Sequence, residues 1–182
     1  MQKKSKKSKK LIKKEKTSLK EQLKKRMKKD SGYLITTYPP LYKKIITEMI
    51  RPFKKTFFDK IAAPEAKGWF YGPLIAYKLN KPFIPIFKSG RIPKKIVFSQ
   101  KYKDYSKKQK SLDVGKITIK KGERILIVDD VLETGASIRT AIQLVEKLGG
   151  KVEGISVIYN KLNQKDEESL EKYHFHYLLK LK

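Results

Sequence analysis

Two adjacent carboxylates, Asp129 and Asp130, end an apolar run in "ILIVDDVLETGAS" (residues 125–137), and a small hydroxyl-bearing turn, Thr134-Gly135-Ala136-Ser137, follows after Glu133. Ile125 to Val128 read as a buried strand, which puts the acidic pair at its carboxyl end. The segment from about Ser137 to Leu148 reads as a helix. A helix N-terminus presents unpaired backbone N–H groups and the positive end of the helix dipole, a setting that favours a phosphate. Thr134 and Ser137 add hydroxyl donors, and Gly135 lets the backbone approach an anion. Two carboxylates next to such a cradle would repel the phosphate unless they face something else, such as the vicinal hydroxyls of a sugar or a divalent cation. A ribose 5-phosphate meets these demands together. The stretch is not a Walker loop, having no GKS/T, and it has no G-x-G-x-x-G. The plain alternative is an ordinary strand-turn-helix with surface acids.

The elements that must position these groups follow from pattern. "SLKE" offers a capping box, Ser18 with Glu21, and Leu19, Leu23 and Met27 recur along one face, so a helix is expected from Leu19 to about Lys29. "YPPLYKKIITEMIRPF" reads as a turn at Pro39 and Pro40 leading into a helix stopped by Pro52. Next come a short strand in "FFDKIAAPEAKG", a helix in "WFYGPLIAYKLN" and a strand in "PFIPIF". Residues 89–115 read as a long basic loop with a weak strand signal at "KIVFS", a length that marks a functional or mobile segment. "ITI", the strand "RILIVDD", its helix, the strand "VEGISVIYN" and the apolar "YHFHYLLKL" complete the chain. Strands alternating with helices imply parallel crossovers and a doubly wound α/β sheet, whose ligand crevice lies at the carboxyl ends of the strands.

The 182 residues suit one domain with a real core and a tail. Residues 1–30 carry 15 basic against three acidic side chains, about +12 of the chain's net +27. Residues 1–17 are expected to be a disordered basic tail and 18–182 the domain. The tail is read either as an anion- or nucleic-acid-binding arm or as a solvated extension, and the lack of interleaved aromatics favours the extension. With no cysteine there is no thiolate nucleophile, disulfide or Cys-ligated metal, and a reducing, cytoplasmic setting fits. No run approaches the length of a membrane span, and no secretory signal opens the chain. Trp69, Phe70 and Tyr71 are expected to be core packing, and His174 and His176 one exposed and one partly buried histidine rather than a metal pair.

"ILIVDDVLETGAS" resembles the phosphoribosyl pyrophosphate (PRPP) motif of the type I phosphoribosyltransferases. "IAAPEAKGWFYGPLIAYKLNKPFIPIFKSGRIPKKIVFSQKYKDYS" is similar to the corresponding region of the adenine phosphoribosyltransferases. The resemblance covers about residues 57–160 and implies the type I phosphoribosyltransferase fold, with a small hood at about residues 31–45 plus the C-terminal segment. It implies that Asp129 and Asp130 bind the ribose hydroxyls, directly or through Mg²⁺, and that Glu133, Thr134, Gly135, Ala136 and Ser137 hold the 5-phosphate. Ala66, Lys67 and Gly68 would form the pyrophosphate loop, with Lys88 and Arg91 meeting the same group. Lys67 stands where the adenine enzymes usually have Arg, and Phe87 where a further Arg is expected.

The reaction so implied moves a phosphoribosyl group from PRPP to a nucleobase nitrogen and releases pyrophosphate. It needs a neutralised leaving group and a base for the nucleobase proton, and no covalent nucleophile. Asp104, in the loop that would close over PRPP, and Glu133 are both candidates for that base. A purine is the expected class, with adenine favoured, although "SGYLITTYPPLYKK" lacks the F-R-D type segment of adenine enzymes. A homodimer active in purine salvage is the leading expectation. The alternatives are a regulator of this fold that binds PRPP or nucleotide and nucleic acid, and a PRPP-binding protein without turnover.

Overall fold

The structure, a computed structural model, describes residues 18–30, 32–103 and 109–181; the tail at 1–17 and Asp104 lie outside the described residues. The chain divides between Lys44 and Ile45 into two compact units. In the first, helix α1 (Leu19–Asp30) starts at the expected cap. The Ser18 N–H donates to Glu21 Oε2 at 2.9 Å and the Glu21 N–H to Ser18 Oγ at 3.2 Å, each side chain satisfying a backbone donor that the helix leaves open. Leu23 is its buried anchor. A short 3-10 turn (Tyr33–Thr37) leads to helix α2 (Pro39–Ile50), which runs across the division. Pro39 and Pro40 are its first two residues rather than a preceding turn, because the first turn of a helix needs no N–H partners.

The second unit is built on a seven-stranded sheet in the order β3-β4-β2-β1-β5-β6-β7. Strands β1 (Lys60–Pro64) and β2 (Phe83–Lys88) are parallel and joined through helix α3 (Gly72–Leu79). Strands β3 (Val97–Lys103) and β4 (Gln109–Gly115) form an antiparallel hairpin on the edge beside β2. Strand β5 (Arg124–Leu132) returns to the other side of β1, helix α4 (Ala136–Lys147) crosses over, and β6 (Lys151–Asn160) pairs with β5 in parallel. A five-residue helix α5 (Gln164–Glu168) precedes β7 (Phe175–Lys180), also parallel. Ile61–Pro64 of β1 and Ile125–Val128 of β5 are unbroken buried apolar runs, as strands covered on both faces require. Helix α4 buries Ile138, Ala141, Ile142 and Val145, one stripe at helical spacing.

Residues 97–103 and 109–115 are therefore paired strands and not part of the loop expected from composition. Only one face of β3 is covered. Phe98 and Tyr102 pack against the core while Ser99 and Lys101 face water, so lysines fill the alternate positions and mask the strand pattern. "ITI" is a turn rather than a strand, with Ile117 89% exposed. Strand β5 also runs past the acidic pair to Leu132, because β6 stays paired with it to Asn160. Among the described residues no helix is long and apolar enough to cross a membrane.

Gly72 sets how closely α3 lies on the sheet. A Cβ there would stand 2.7 Å from both Ala63 Cβ and Phe83 Cε2. Gly72→Ala should destabilise the protein by about 1–3 kcal/mol through overpacking. Thermal unfolding should then show a fall in Tm of roughly 2–4 °C per kcal/mol; an unchanged Tm would mean the helix has room to move away.

Candidate active site

Strand order reverses at β1, with β2 on one side and β5 on the other, and a sheet of this kind opens its crevice there. The β1–β5 pairing ends at Ala62 and Ile127, whereas the β5–β6 pairing continues to Leu132 and Asn160. Beyond Ile127 the two strands part, and Asp129 and Asp130 follow two and three residues later in β5. A cleft of about 270 Å³ opens at this point. It is lined from the β1 and β2 side by Glu65, Ala66, Lys67 and Lys88, and from the β5 side by the segment from Asp129 to Ile138. The hairpin contributes Tyr102 and Lys110, a directly opposed cross-strand pair.

Both acids are buried, each 8% exposed. Asp129 Oδ1 accepts the Asp130 N–H at 2.8 Å, and Lys67 Nζ lies 3.1 Å from Asp130 Oδ2. Burial pushes the Asp129 carboxyl well above its ordinary value of 3.8, and the Asp130 charge adds to the shift. Burial also raises Asp130, opposed by Lys67. Gly68 lies directly beneath, where a Cβ would stand 3.1 Å from Val128 O and 3.2 Å from Asp129 Oδ1. A glycine here lets the Ala66–Gly68 turn lie against the acidic pair.

Across the cleft, Gly135 takes a left-handed conformation (φ 71°) and caps α4. Its missing Cβ would collide with Arg139 Nη1 at 2.7 Å. Arg139 in turn donates to Thr134 O at 2.6 Å and pairs with Asp166 at 3.1 Å, which ties the turn to α5. The first turn of α4 thus lines the cleft together with Thr134 and Ser137, an arrangement suited to an anion.

The structure brings together ten of the expected residues on the cleft wall: Asp129, Asp130, Glu133, Thr134, Gly135, Ala136, Ser137, Ala66, Lys67 and Lys88. Gly68 and Arg91 do not line it. Arg91 reaches the cleft only through an ion pair with Glu65, 3.3 Å from Nη2 to Oε1. Glu133 is exposed and held by Lys161 Nζ at 3.0 Å. Glu65, Tyr102 and Lys110 escaped the sequence reading; alternation in "VFSQKYK" was the available signal for Tyr102. Phe87 meets Trp69 edge-on, 4.9 Å between ring centres, and Trp69 Nε1 donates to Ala63 O at 2.9 Å. Packing, not charge, occupies that position. Tyr71 is buried as expected, but Phe70 is 39% exposed. His174 is exposed and His176 half-buried, both against the Phe53 ring.

A carboxyl whose pKa is higher in the folded than in the unfolded chain adds stability that is complete below the unfolded value and fades as pH rises through the folded one. Asp129 therefore weakens the free protein as pH climbs from about 3.8 upward. Asp129→Asn should flatten that decline and raise stability at neutral pH by on the order of 1 kcal/mol, or roughly 2–4 °C in Tm. Calorimetric scans of both proteins across pH check this; a less stable Asn variant at neutral pH would show that the charged form is favoured.

The phosphoribosyl transferase domain family matches residues 39–176 of the chain. An adenine phosphoribosyltransferase of Clostridium botulinum is 39% identical over 128 residues, covering 70% of this chain and 73% of that protein. One from Thermotoga maritima is 37% identical over 132 residues, 72% of this chain and 75% of that protein. The crystal structure of adenine phosphoribosyltransferase from Thermoanaerobacter pseudethanolicus superposes with a TM-score of 0.75 at 31% identity, covering 81% of this chain and 84% of that one. With more than half its length matched and its acidic pair, glycine turn and helix N-terminus gathered in one crevice, the chain belongs to the phosphoribosyltransferase family.

Proposed function

We infer that this chain transfers the 5-phosphoribosyl group of PRPP to adenine, with release of pyrophosphate, in purine salvage. The observation that carries the reading is the cleft where β1 and β5 part, which sets two buried carboxylates between a lysine-bearing turn and a helix N-terminus. Relatives at 37–39% identity that carry the name adenine phosphoribosyltransferase support adenine as the base.

The α4 N-terminus, with Thr134 and Ser137, receives the 5-phosphate. Asp129 and Asp130 accept the ribose hydroxyls, and their charge offsets the positive charge that develops at the anomeric carbon. The bond from that carbon to the pyrophosphate oxygen breaks as a bond to the base nitrogen forms, and Lys67 and Lys88 balance the charge of the departing group. A proton leaves the base for a carboxylate. Glu133 lines the cleft and is oriented by Lys161, and Asp104 follows the end of β3; both stand as candidates. Mg²⁺ fits this donor set. Among the described residues no group of three or more His, Cys, Asp or Glu that could hold a metal ion gathers. Asp129 and Asp130 are two hard oxygen donors of the kind that hold Mg²⁺ jointly with substrate phosphates and water. Bound there, the ion would neutralise charge on the pyrophosphate.

A cytoplasmic homodimer is part of the same reading. Phe70, Leu74 and Tyr77 are 39%, 41% and 86% exposed and recur along one side of α3 and the turn before it, an apolar surface that a second copy would cover. Leu74→Glu with Tyr77→Glu should shift sedimentation from dimer to monomer; an unchanged profile would remove this face from the interface.

Pyrophosphate release from PRPP and Mg²⁺ should be rapid with adenine and slow with hypoxanthine, guanine, xanthine or uracil. Silence with all five bases would overturn the reading. Of Glu133→Gln and Asp104→Asn, the variant that removes the proton acceptor should lose about 10²- to 10⁴-fold in kcat. The other should stay near the parent, and the pH–rate profiles should separate them.

A further inference from the structure

Glu65 is the last residue before the Ala66–Gly68 turn, and its carboxylate is spent entirely on the neighbouring strand exit. Its N–H donates to Ile86 O at 2.7 Å, which keeps the chain in register with β2 just past the end of β1. Its Oε2 then accepts the Lys88 N–H at 3.0 Å, and its Oε1 pairs with Arg91 Nη2 at 3.3 Å. The Glu65 side chain is 12% exposed while that of Arg91 is 62% exposed, so the acid is the fixed member of the pair and the arginine the mobile one. The segment leaving β2 is held on its far side by a second acid. Asp113, 3% exposed, accepts the Gly90 N–H at 2.9 Å through Oδ2 and the Ser111 hydroxyl at 3.2 Å through Oδ1. Residues 88–91 are thus fastened from two sides by carboxylates, and Gly90 supplies the left-handed bend (φ 85°) between them.

The consequence is electrostatic. Glu65 lines the cleft, Arg91 does not, and among the described residues Lys88 Nζ has no acidic partner. Glu65 therefore fixes the backbone that aims a free ammonium at the cleft, and at the same time occupies a guanidinium that an incoming polyanion would also bind. A pyrophosphate group entering from the Lys67 side gains Arg91 as a partner only by taking it from that carboxylate.

We propose that Glu65 is a positioning residue that sets the strength of pyrophosphate binding by holding Lys88 in place and competing with pyrophosphate for Arg91. The inference rests on the phosphoribosyltransferase reading, and its test has a readout besides turnover: calorimetric titration of the full chain with magnesium pyrophosphate. Glu65→Gln keeps an acceptor for the Lys88 N–H and removes the charge. It should bind pyrophosphate more tightly, by roughly two- to fivefold, the range that one half-exposed ion pair supports. Product inhibition by pyrophosphate should strengthen by the same factor while the KM for the base stays put. Glu65→Ala loses the backbone anchor as well and should raise the KM for PRPP, with Gln restoring it. Arg91→Ala, at an exposed position, keeps the fold secure, and in its background Glu65→Gln should have no effect on pyrophosphate affinity. Equal or weaker binding by Glu65→Gln, or the same gain with Arg91 absent, would overturn the proposal. A parent protein that binds pyrophosphate without turning over any base would instead count against the catalytic reading and leave this cycle to be read on its own.

Discussion

Two carboxylates buried side by side where two parallel strands separate are the constraint around which the second unit is arranged. An ionised carboxylate taken out of water is costly unless hydrogen bonds and cations replace the solvent, and like charges on adjacent residues add to that cost. The chain meets it locally: the Asp130 N–H serves Asp129, Lys67 serves Asp130, and Gly68 removes the side chain that would hold the lysine-bearing turn away. The strand pairing explains why the cost arises here. β6 carries β5 onward past the acids on one side, while β1 turns away on the other, so the same residues are both structurally held and open to a ligand. Under the proposed function, the burial that disfavours these charges in the free chain would be relieved by sugar hydroxyls or a cation.

The global charge of +27 says little about this cleft. Lys67 is paired with Asp130, Lys161 with Glu133, Arg139 with Asp166 and Arg91 with Glu65, so most cations near the site are already matched. Under the proposed function, selectivity for a phosphorylated sugar resides in geometry: a helix N-terminus, hydroxyls and lysines at fixed places around the cleft. The excess lysine lies elsewhere, on exposed helix and hairpin faces and in the N-terminal segment. A long-range positive field from those faces draws anions toward the molecule without deciding which one binds.

Motifs whose chemistry is local were legible from residue order. The strand, acidic pair, Gly135 turn and α4 follow from a few adjacent residues, and the Ser18–Glu21 cap is a matter of three residues' spacing. The parallel core was equally legible, because strands covered on both faces must be apolar throughout. The hairpin of β3 and β4 was not, since an edge pair with one wet face needs only alternate apolar residues and lysines filled the rest. The extent of β5 was also hidden: its acids break the apolar run, and only the partner strand β6 shows that the ladder continues to Leu132.

The sequence by itself determined the α/β class, the Gly135 turn at the start of α4 and the family of the chain, because each is written in contiguous residues whose spacing matches one element. Tertiary structure alone decided which distant groups meet: that Glu65 would take up Arg91, that Tyr102 and Lys110 would reach the cleft from the hairpin, and that Phe87 would pack on Trp69 where a cation was expected. Those pairings depend on strand order and register. A side chain's partner across a sheet is fixed by the fold of segments tens of residues away, and no local pattern records it.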